Sequence, residues 1–364
     1  MSIIGSVGLG IPSFEINQTT VKQLVKQLFK KERMIERLLP IFDNAAIENR
    51  QFVVSTDWFH QDWDFSKRNE LYIKYALDYS LQAIDHCLTN ENFLNEKIAY
   101  EEIDMIIFVS STGISTPSMD ARIMNKRPFR EDIHRLPIWG LGCAGGASGL
   151  ARASDWTSTY KDETVLLICC ELCSLTFQKE DKKKRNIVGT ALFGDGVGAA
   201  LVIGEHSPLV KRLNRNQKPM IKNASSFTKK DTESIMGWNV NENGLEVVFS
   251  KSIPSLIHSL WKPHLEGFLQ LLDIKRDDIH SFIAHPGGKK VLEAMEEACS
   301  IPTSKFYHSY QVLKNHGNMS SPTVLYILKE WMKDKERDCS TCDQSILSAL
   351  GPGFSSELLL LEWR

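Results

Sequence analysis

A single cysteine, Cys143, stands between an apolar stretch and a run of residues too small to cover it: Pro137-Ile138-Trp139-Gly140-Leu141-Gly142-Cys143-Ala144-Gly145-Gly146-Ala147-Ser148-Gly149. Pro137–Leu141 reads as a strand and Leu150 to Trp156 as a helix. A thiol at such an elbow sits at a helix N-terminus, where unpaired N–H groups and the macrodipole favour negative charge. That field lowers a cysteine pKa from about 8.5 toward neutrality, and only the thiolate is a good nucleophile. The segment equally suits a structural cysteine buried in a tight Gly-rich turn.

A cysteine nucleophile needs a base or cationic partner and a group that orients the substrate. Of the ten histidines, His86, His258 and His264 fall on amphipathic or loop segments and read as packing or surface residues. His285 follows the strand-like Ser281-Phe282-Ile283-Ala284 and precedes Pro286-Gly287-Gly288. A strand end followed by Pro and two Gly presents a side chain to a cleft and leaves backbone free for close ligand approach. A third segment, Asn315-His316-Gly317-Asn318-Met319-Ser320-Ser321-Pro322, opens a helix near Pro322. Asn318 there is either a helix cap or an amide donor aimed into the same cleft. Cys, His and Asn together serve Cys-dependent proteolysis or decarboxylative condensation. The C-G-[SA]-C-[WY] context of papain-like proteases is absent. A thiol after a buried strand of a layered fold better suits acyl transfer from a thioester.

Strands alternate with helices around these residues. Residues 21–41 carry helical periodicity at Val21, Leu24, Val25, Leu28 and Phe29, and Ile73, Leu77, Leu81 and Ile84 mark a second helix. Ile103–Val109, Val165–Cys170, Gly198–Ile203 and Ile279–Ala284 read as strands, with a closing pair at Ser345–Leu350 and Glu357–Trp363. Leu256–Leu272 and Val324–Met332 read as helices. This alternation predicts a layered α/β fold of two lobes, residues 1–210 and 211–364, the second opening on a basic stretch from Lys211 to Lys218.

The 364 residues are 42% hydrophobic and 24% charged, with net charge −2, which suggests neither nucleic acid nor an anionic membrane as partner. No apolar run reaches the ~18 residues of a membrane span, and Met1 to Gly10 lacks a basic n-region. The expected location is cytoplasmic, with the eight cysteines reduced. Cys339-x-x-Cys342 and Cys170-x-x-Cys173 have redox or half-zinc-site spacing, but neither has a histidine at ligand spacing. The run Lys182-Lys183-Lys184-Arg185 reads as a solvated loop or, alternatively, a contact for a phosphate-bearing ligand.

Five short segments occur in a telling order: Trp139 to Gly146, Ala191-Leu192-Phe193-Gly194-Asp195-Gly196, His285-Pro286-Gly287-Gly288, Gly317-Asn318-Met319-Ser320-Ser321, and Gly351-Pro352-Gly353-Phe354. With them the chain resembles, over nearly its whole length, the type III polyketide synthases, the chalcone-synthase-like enzymes of the thiolase fold. In look it is closest to bacterial members that make alkylpyrones. The resemblance implies two similar βα lobes stacked as αβαβα and a homodimer. It implies no metal or organic cofactor, only the CoA thioesters malonyl-CoA and acyl-CoA as substrates. It assigns Cys143 as the nucleophile holding the acyl chain. His285 keeps that thiol ionised and, with Asn318, binds the enolate formed from malonyl-CoA. Phe193 becomes an aromatic gate, Gly287 and Gly288 a backbone path for the pantetheine arm, and Arg50 a contact for the CoA phosphates. By spacing back from Pro254, a second gate of plant members falls on Val247, and a cavity glycine nine positions earlier on Trp238. A methionine that plant members lend to their partner subunit falls on Thr116, and a cavity threonine on Cys173. Val247 is expected to admit a long aliphatic starter and Trp238 to shorten the room for extension. Alternatives left open are a fatty-acid-initiating ketoacyl synthase, which typically carries His-Gln-Ala-Asn in place of His285-Pro286-Gly287-Gly288, and a non-catalytic acyl-CoA-binding relative.

Overall fold

The computed structural model describes residues 1–30, 32, 34–214, 218–250, 253–334 and 343–364. Cys339 and Cys342 lie outside these. The described strands are β1 Ser2–Gly10, β2 Phe14–Asn17, β3 Asn49–Phe52, β4 Met105–Val109, β5 His134–Ile138, β6 Thr164–Leu172, β7 Asp195–Gly204, β8 Pro219–Thr228, β9 Met236–Asn241, β10 Gly244–Phe249, β11 Ile279–Ala284, β12 Gln344–Gly351 and β13 Ser355–Trp363. Seven helices position the site: α1 Gln18–Leu28, α2 Phe65–Leu88, α3 Gly145–Thr159, α4 Lys184–Leu192, α5 Lys262–Leu271, α6 Lys289–Cys299 and α7 Thr323–Lys333.

Nine strands join in the order β11-β12-β13-β8-β1-β7-β6-β4-β5, the two halves meeting only where Ser2 and Ile3 pair with Ile221 and Met220. Helices α3 and α7 lie between the halves. α3 packs on β4, β6 and β7 and also on β8, β12 and β13, while α7 packs on β1 and β7 and also on β11 and β12. α2 covers the outer face of β1, β6 and β7, and α5 and α6 close a second core with Phe282, Ile346, Leu358 and Leu360. The result is the αβαβα layering expected of the thiolase fold. It explains why the strands read as nearly continuous apolar runs: Leu358 and Leu360 face the outer helices, and Leu359 and Leu361 face the central pair.

Two sequence expectations shift. The strand before Cys143 is β5, which ends at Ile138 rather than Leu141, because Gly140 and Gly142 take φ of 93° and 47° and break the extended run. The helix expected over 21–41 starts earlier, capped by Asn17 Oδ1 on the Thr20 N–H at 2.8 Å, and stops at Leu28. Beyond it lie two short helices, Ile35–Leu38 and Pro40–Asp43.

Candidate active site

Cys143 occupies a 3₁₀ turn, Gly142–Ala144, that runs directly into the N-terminus of α3. The small residues after it are a packing requirement. A Cβ on Gly146 would stand 2.2 Å from the Ser321 carbonyl oxygen, so glycine lets α3 touch the loop that carries Asn318. That loop is held by its backbone: Asn318 N–H donates to Leu192 O at 2.8 Å, and Gly194 N–H donates to Asn318 O at 2.9 Å. Asn318 Oδ1 accepts the Ser320 N–H at 2.8 Å, which fixes the amide so that its Nδ2 donates to Gly287 O at 3.3 Å. Asn318 thus links the Cys143 thiol, to which its side chain hydrogen-bonds, with the His285–Gly288 loop. It does not cap α7, whose N-cap is Pro322.

His285 follows β11 directly, its N–H donating to Ser348 O of β12 at 2.8 Å. The imidazole is buried, and neither ring nitrogen has a hydrogen-bond partner among the described residues. Burial pushes its pKa down to about 3, so it is a neutral acceptor near pH 7. Burial likewise pushes the Cys143 thiol up to about 11, outweighing the hydrogen bonds from Ser320 and Asn318. Burial thus works against both charges of the thiolate–imidazolium pair expected of Cys143 and His285.

Glu171 lies at the foot of this site. It interrupts the apolar run of β6, and its carboxylate accepts from Ser111 N–H at 3.0 Å, Ser111 Oγ at 2.9 Å and Ser321 Oγ at 3.1 Å. Burial lifts it to about 7, and its charge raises the Cys143 thiol further. Glu171→Gln is expected to move the pH profile of Cys143 alkylation by iodoacetamide to lower pH. The native protein also holds the Glu171 proton more tightly than the unfolded chain between pH 4.5 and about 7, so stability from this residue declines as pH rises through that window. The variant flattens that decline, as urea unfolding at a series of pH values measures.

The cavity beside Cys143 is lined by Ser111, Cys173, Phe193, Met236, Trp238, Val247, Val248, Phe249, Ser320 and Pro352. Val247 and Trp238 face each other across the β9–β10 hairpin as register partners, and the Trp238 ring centre lies 6.4 Å from that of Phe193. Next to it runs a cleft of ≈ 600 Å³, lined by Lys183, Lys184, Arg185, Lys289 and Lys290 at one part and by Gly287, Gly288, Leu192 and Phe249 at another. Phe249 belongs to both walls, a role the sequence did not suggest. The lysines of the basic run are exposed, as the solvated reading expected, while Lys183 and Arg185 pair with Glu246 and border this cleft. Thr116 is exposed and is not part of the Cys143 cavity within one chain.

Arg50 is a correction. It is fully buried, and its guanidinium donates to the carbonyl oxygens of Thr190 (2.9 Å), Ala191 (2.8 Å) and Phe193 (2.8 Å) and to Gln18 Oε1. It satisfies the orphan carbonyls at the C-terminus of α4 and so fixes Phe193; it has no access to a phosphate. Arg50→Met leaves these oxygens unpaired, and a loss of about 2–4 kcal/mol in urea unfolding is expected, with the KM for malonyl-CoA of the folded protein unchanged.

Sequence reasoning also missed Ser320 and Asp195. Ser320 takes a left-handed φ of 60°, unusual for a residue with a side chain, and this places its hydroxyl on the thiol. Asp195, buried at the start of β7, accepts Val53 N–H at 2.8 Å and Ser174 N–H at 2.7 Å and so pins the turn of Cys173. A charged residue inside an apolar strand was the signal available for Glu171 and Asp195.

The profile of chalcone and stilbene synthases matches this chain twice: the N-terminal domain over residues 1–207 and the C-terminal domain over 221–363. The chain belongs to the chalcone and stilbene synthase family. It is a type III polyketide synthase of the family's condensing, acyltransferase type. A Bacillus subtilis (strain 168) protein named "Putative chalcone synthase" is 42% identical over 365 residues, spanning 100% of this chain and 99% of its own. A 1,3,6,8-tetrahydroxynaphthalene synthase of Streptomyces peucetius subsp. caesius is 31% identical, over 99% of this chain and 93% of its own. The crystal structure of the Streptomyces coelicolor A3(2) enzyme of that name superposes with a TM-score of 0.91 at 24% identity, over 100% of this chain and 99% of that one, a likeness of fold. Among the described residues of this type III polyketide synthase, no helix is long and apolar enough to cross a membrane.

Proposed function

We propose that this type III polyketide synthase loads an acyl-CoA, by preference a fatty acyl-CoA, as a thioester on Cys143, extends it with malonyl-CoA and releases triketide or tetraketide alkylpyrones. The observation that carries the reading is the apolar wall of Phe193, Met236, Trp238, Val247, Val248 and Phe249 beside a buried cysteine. The hydroxyls that share this wall are committed, Ser111 to Glu171 and Ser320 to the thiol, which suits an aliphatic starter.

In the first step the thiol proton passes to neutral His285, sulfur attacks the starter carbonyl, and CoA leaves as its thiol with the proton. Malonyl-CoA then enters with its pantetheine arm along Gly287–Gly288 and its phosphates at Lys184 and Lys290. Loss of CO₂ leaves an enolate oxygen that Asn318 Nδ2 and the ring N–H of neutral His285 can bind. The face of Phe193 disfavours the carboxylate and assists its departure. The enolate carbon attacks the Cys143 thioester, a C–C bond forms, and the cysteine is released for the next transfer. Finally an enol oxygen of the chain attacks its own thioester carbonyl, closing the pyrone and expelling CoA.

Mass spectrometry of products made from malonyl-CoA and starters of graded length tests the reading; aromatic starters outcompeting saturated ones would overturn it. Trp238→Gly is expected to lengthen the product by one or more malonyl-derived units, and an unchanged product length would remove Trp238 from that role.

We infer a homodimer as well. The edge strand β5 exposes its backbone beside Trp139 and Ile114, both half exposed, and Thr116, a face suited to a second copy of this chain. Sedimentation at the monomer mass would contradict it.

A further inference from the structure

A second set of nucleophilic side chains lies on the outer face of the C-terminal half of the sheet, and none of them lines the Cys143 cavity. Strands β8 and β13 pair antiparallel there, with Ser225 opposite Leu358 and Phe227 opposite Ser356. Side chains at i and i+2 share a face, so these four residues form one square patch. Leu358 belongs to the second core, under α5 and α6. The two serines interrupt that apolar surface at its margin, and His264 of α5 spans the diagonal between them. Its Nε2 stands 2.9 Å from Ser225 Oγ and its Nδ1 2.9 Å from Ser356 Oγ. From the sequence His264 reads as a packing or surface residue; in the fold each of its ring nitrogens meets a hydroxyl.

The two hydroxyls are not equivalent. Ser356 is fully buried, whereas Ser225 is half-buried and has the exposed Ala224 and Ser226 on either side. With its hydrogen on Nδ1, directed at Ser356, the imidazole offers the lone pair of Nε2 to the Ser225 O–H. Burial holds His264 below its usual value, so it is a neutral base near pH 7. A hydroxyl, a base within hydrogen-bond reach and a third group that orients the base are the parts that activate a serine. The backbone offers donors for an oxyanion. β8 pairs with β1 only at Met220 and Ile221, so the edge from Asn223 to Thr228 leaves alternate N–H groups open beside Ser225. Phe227, 47% exposed, has its ring centre 5.8 Å from that of His264 and gives an acyl chain an apolar surface to lie on.

We propose that Ser225 and His264 form a second, hydrolytic site for esters or thioesters of apolar acyl groups, with Ser356 positioning the base. The Ser225 proton passes to His264 Nε2, the serine oxygen bonds to the acyl carbon, and the alcohol or thiol leaves with that proton. Water then attacks the acyl-serine, the carboxylic acid departs, and Ser225 regains its hydrogen. The experiment uses the Cys143→Ala protein, which lacks the competing thiol, with p-nitrophenyl butyrate as substrate and a fluorophosphonate as label. Release of p-nitrophenolate is expected, together with the mass of the label on the peptide that holds Ser225. Adding Ser225→Ala or His264→Ala is expected to lower kcat/KM by roughly 10²-fold or more. Ser356→Ala is expected to lower it less, and Ser356→Thr, which keeps a hydroxyl on Nδ1, to restore it. Ser225→Ala with Cys143 intact is expected to keep the condensing activity, which shows that the variant folds. Unchanged hydrolysis in Ser225→Ala, or a label found only on other residues, overturns the site. A Ser356→Thr protein no faster than Ser356→Ala overturns the positioning role.

Discussion

Cys143→Ala is expected to abolish the acyl-enzyme and to lower condensation by roughly 10³-fold or more, the scale on which enzymes lose rate with their nucleophile. Intact-mass spectrometry after incubation with an acyl-CoA gives the direct reading: wild type gains the mass of the acyl group, and the variant does not. Cys173→Ala is the control, since this second thiol lines the same cavity but is pushed well above the usual thiol range by burial and by the nearby charges of Glu171 and Asp195. Full turnover by Cys143→Ala would remove the nucleophile assignment. The resting thiol also makes a kinetic statement. With burial holding it near 11, alkylation by iodoacetamide should keep rising through pH 8 and 9 rather than reach a plateau near pH 6. In the proposed reaction His285 would then act as the acceptor of a proton during acyl transfer, and a plateau near pH 6 would instead make it a permanent counter-ion.

Asn318→Ala carries the second large effect. In the proposed reaction the side chain supplies one donor to the enolate, and removing one such donor costs about 3 kcal/mol, a fall of roughly 10²-fold in malonyl-CoA decarboxylation. Self-acylation of Cys143 uses no enolate and should survive, so the two half-reactions come apart in this variant. Asn318→Ser is expected to restore only a small part, because the anchor is geometric. Asn318 Oδ1 is held by the Ser320 N–H, and a serine hydroxyl has no second polar end with which to hold itself in register. Equal loss of acylation and decarboxylation would argue that Asn318 merely supports the loop.

The chemistry-bearing positions were legible because each sits where a regular element gives way. Cys143 precedes α3 and His285 follows β11, while Asn318 lies in the loop before α7; such junctions carry Gly, Pro and Ser signals that a reader can locate. Most strands of the nine-stranded sheet were legible from their apolar runs, and β11 agrees to the residue, but β8 was not, since only its first three residues are buried and the rest is polar or exposed. The β9–β10 hairpin was not, since Trp238 to Val248 mixes polar and apolar residues on a half-exposed flap, and its register became visible only once Val247 was seen opposite Trp238. Arg50 misled for a general reason. A lone arginine near a nucleotide-handling site invites a phosphate, yet a guanidinium serves carbonyl oxygens equally well, and only burial distinguishes the two. Ser320 was invisible because its role depends on a left-handed backbone that its residue type does not announce.

The contact between Gly146 and Ser321 has a consequence beyond packing. It brings the starts of two helices, α3 and α7, to one point, one just after Cys143 and the other just after the Asn318 loop. The positive ends of both helix dipoles thus lie near Cys143 and the Asn318 loop, beside a cavity that has no lysine or arginine among its lining residues. A positive potential made of main chain cannot be titrated, acetylated or exchanged by a point substitution, and at this depth added salt screens it little. Substitutions in the side chains that line the pocket therefore leave this main-chain potential where the two helices put it.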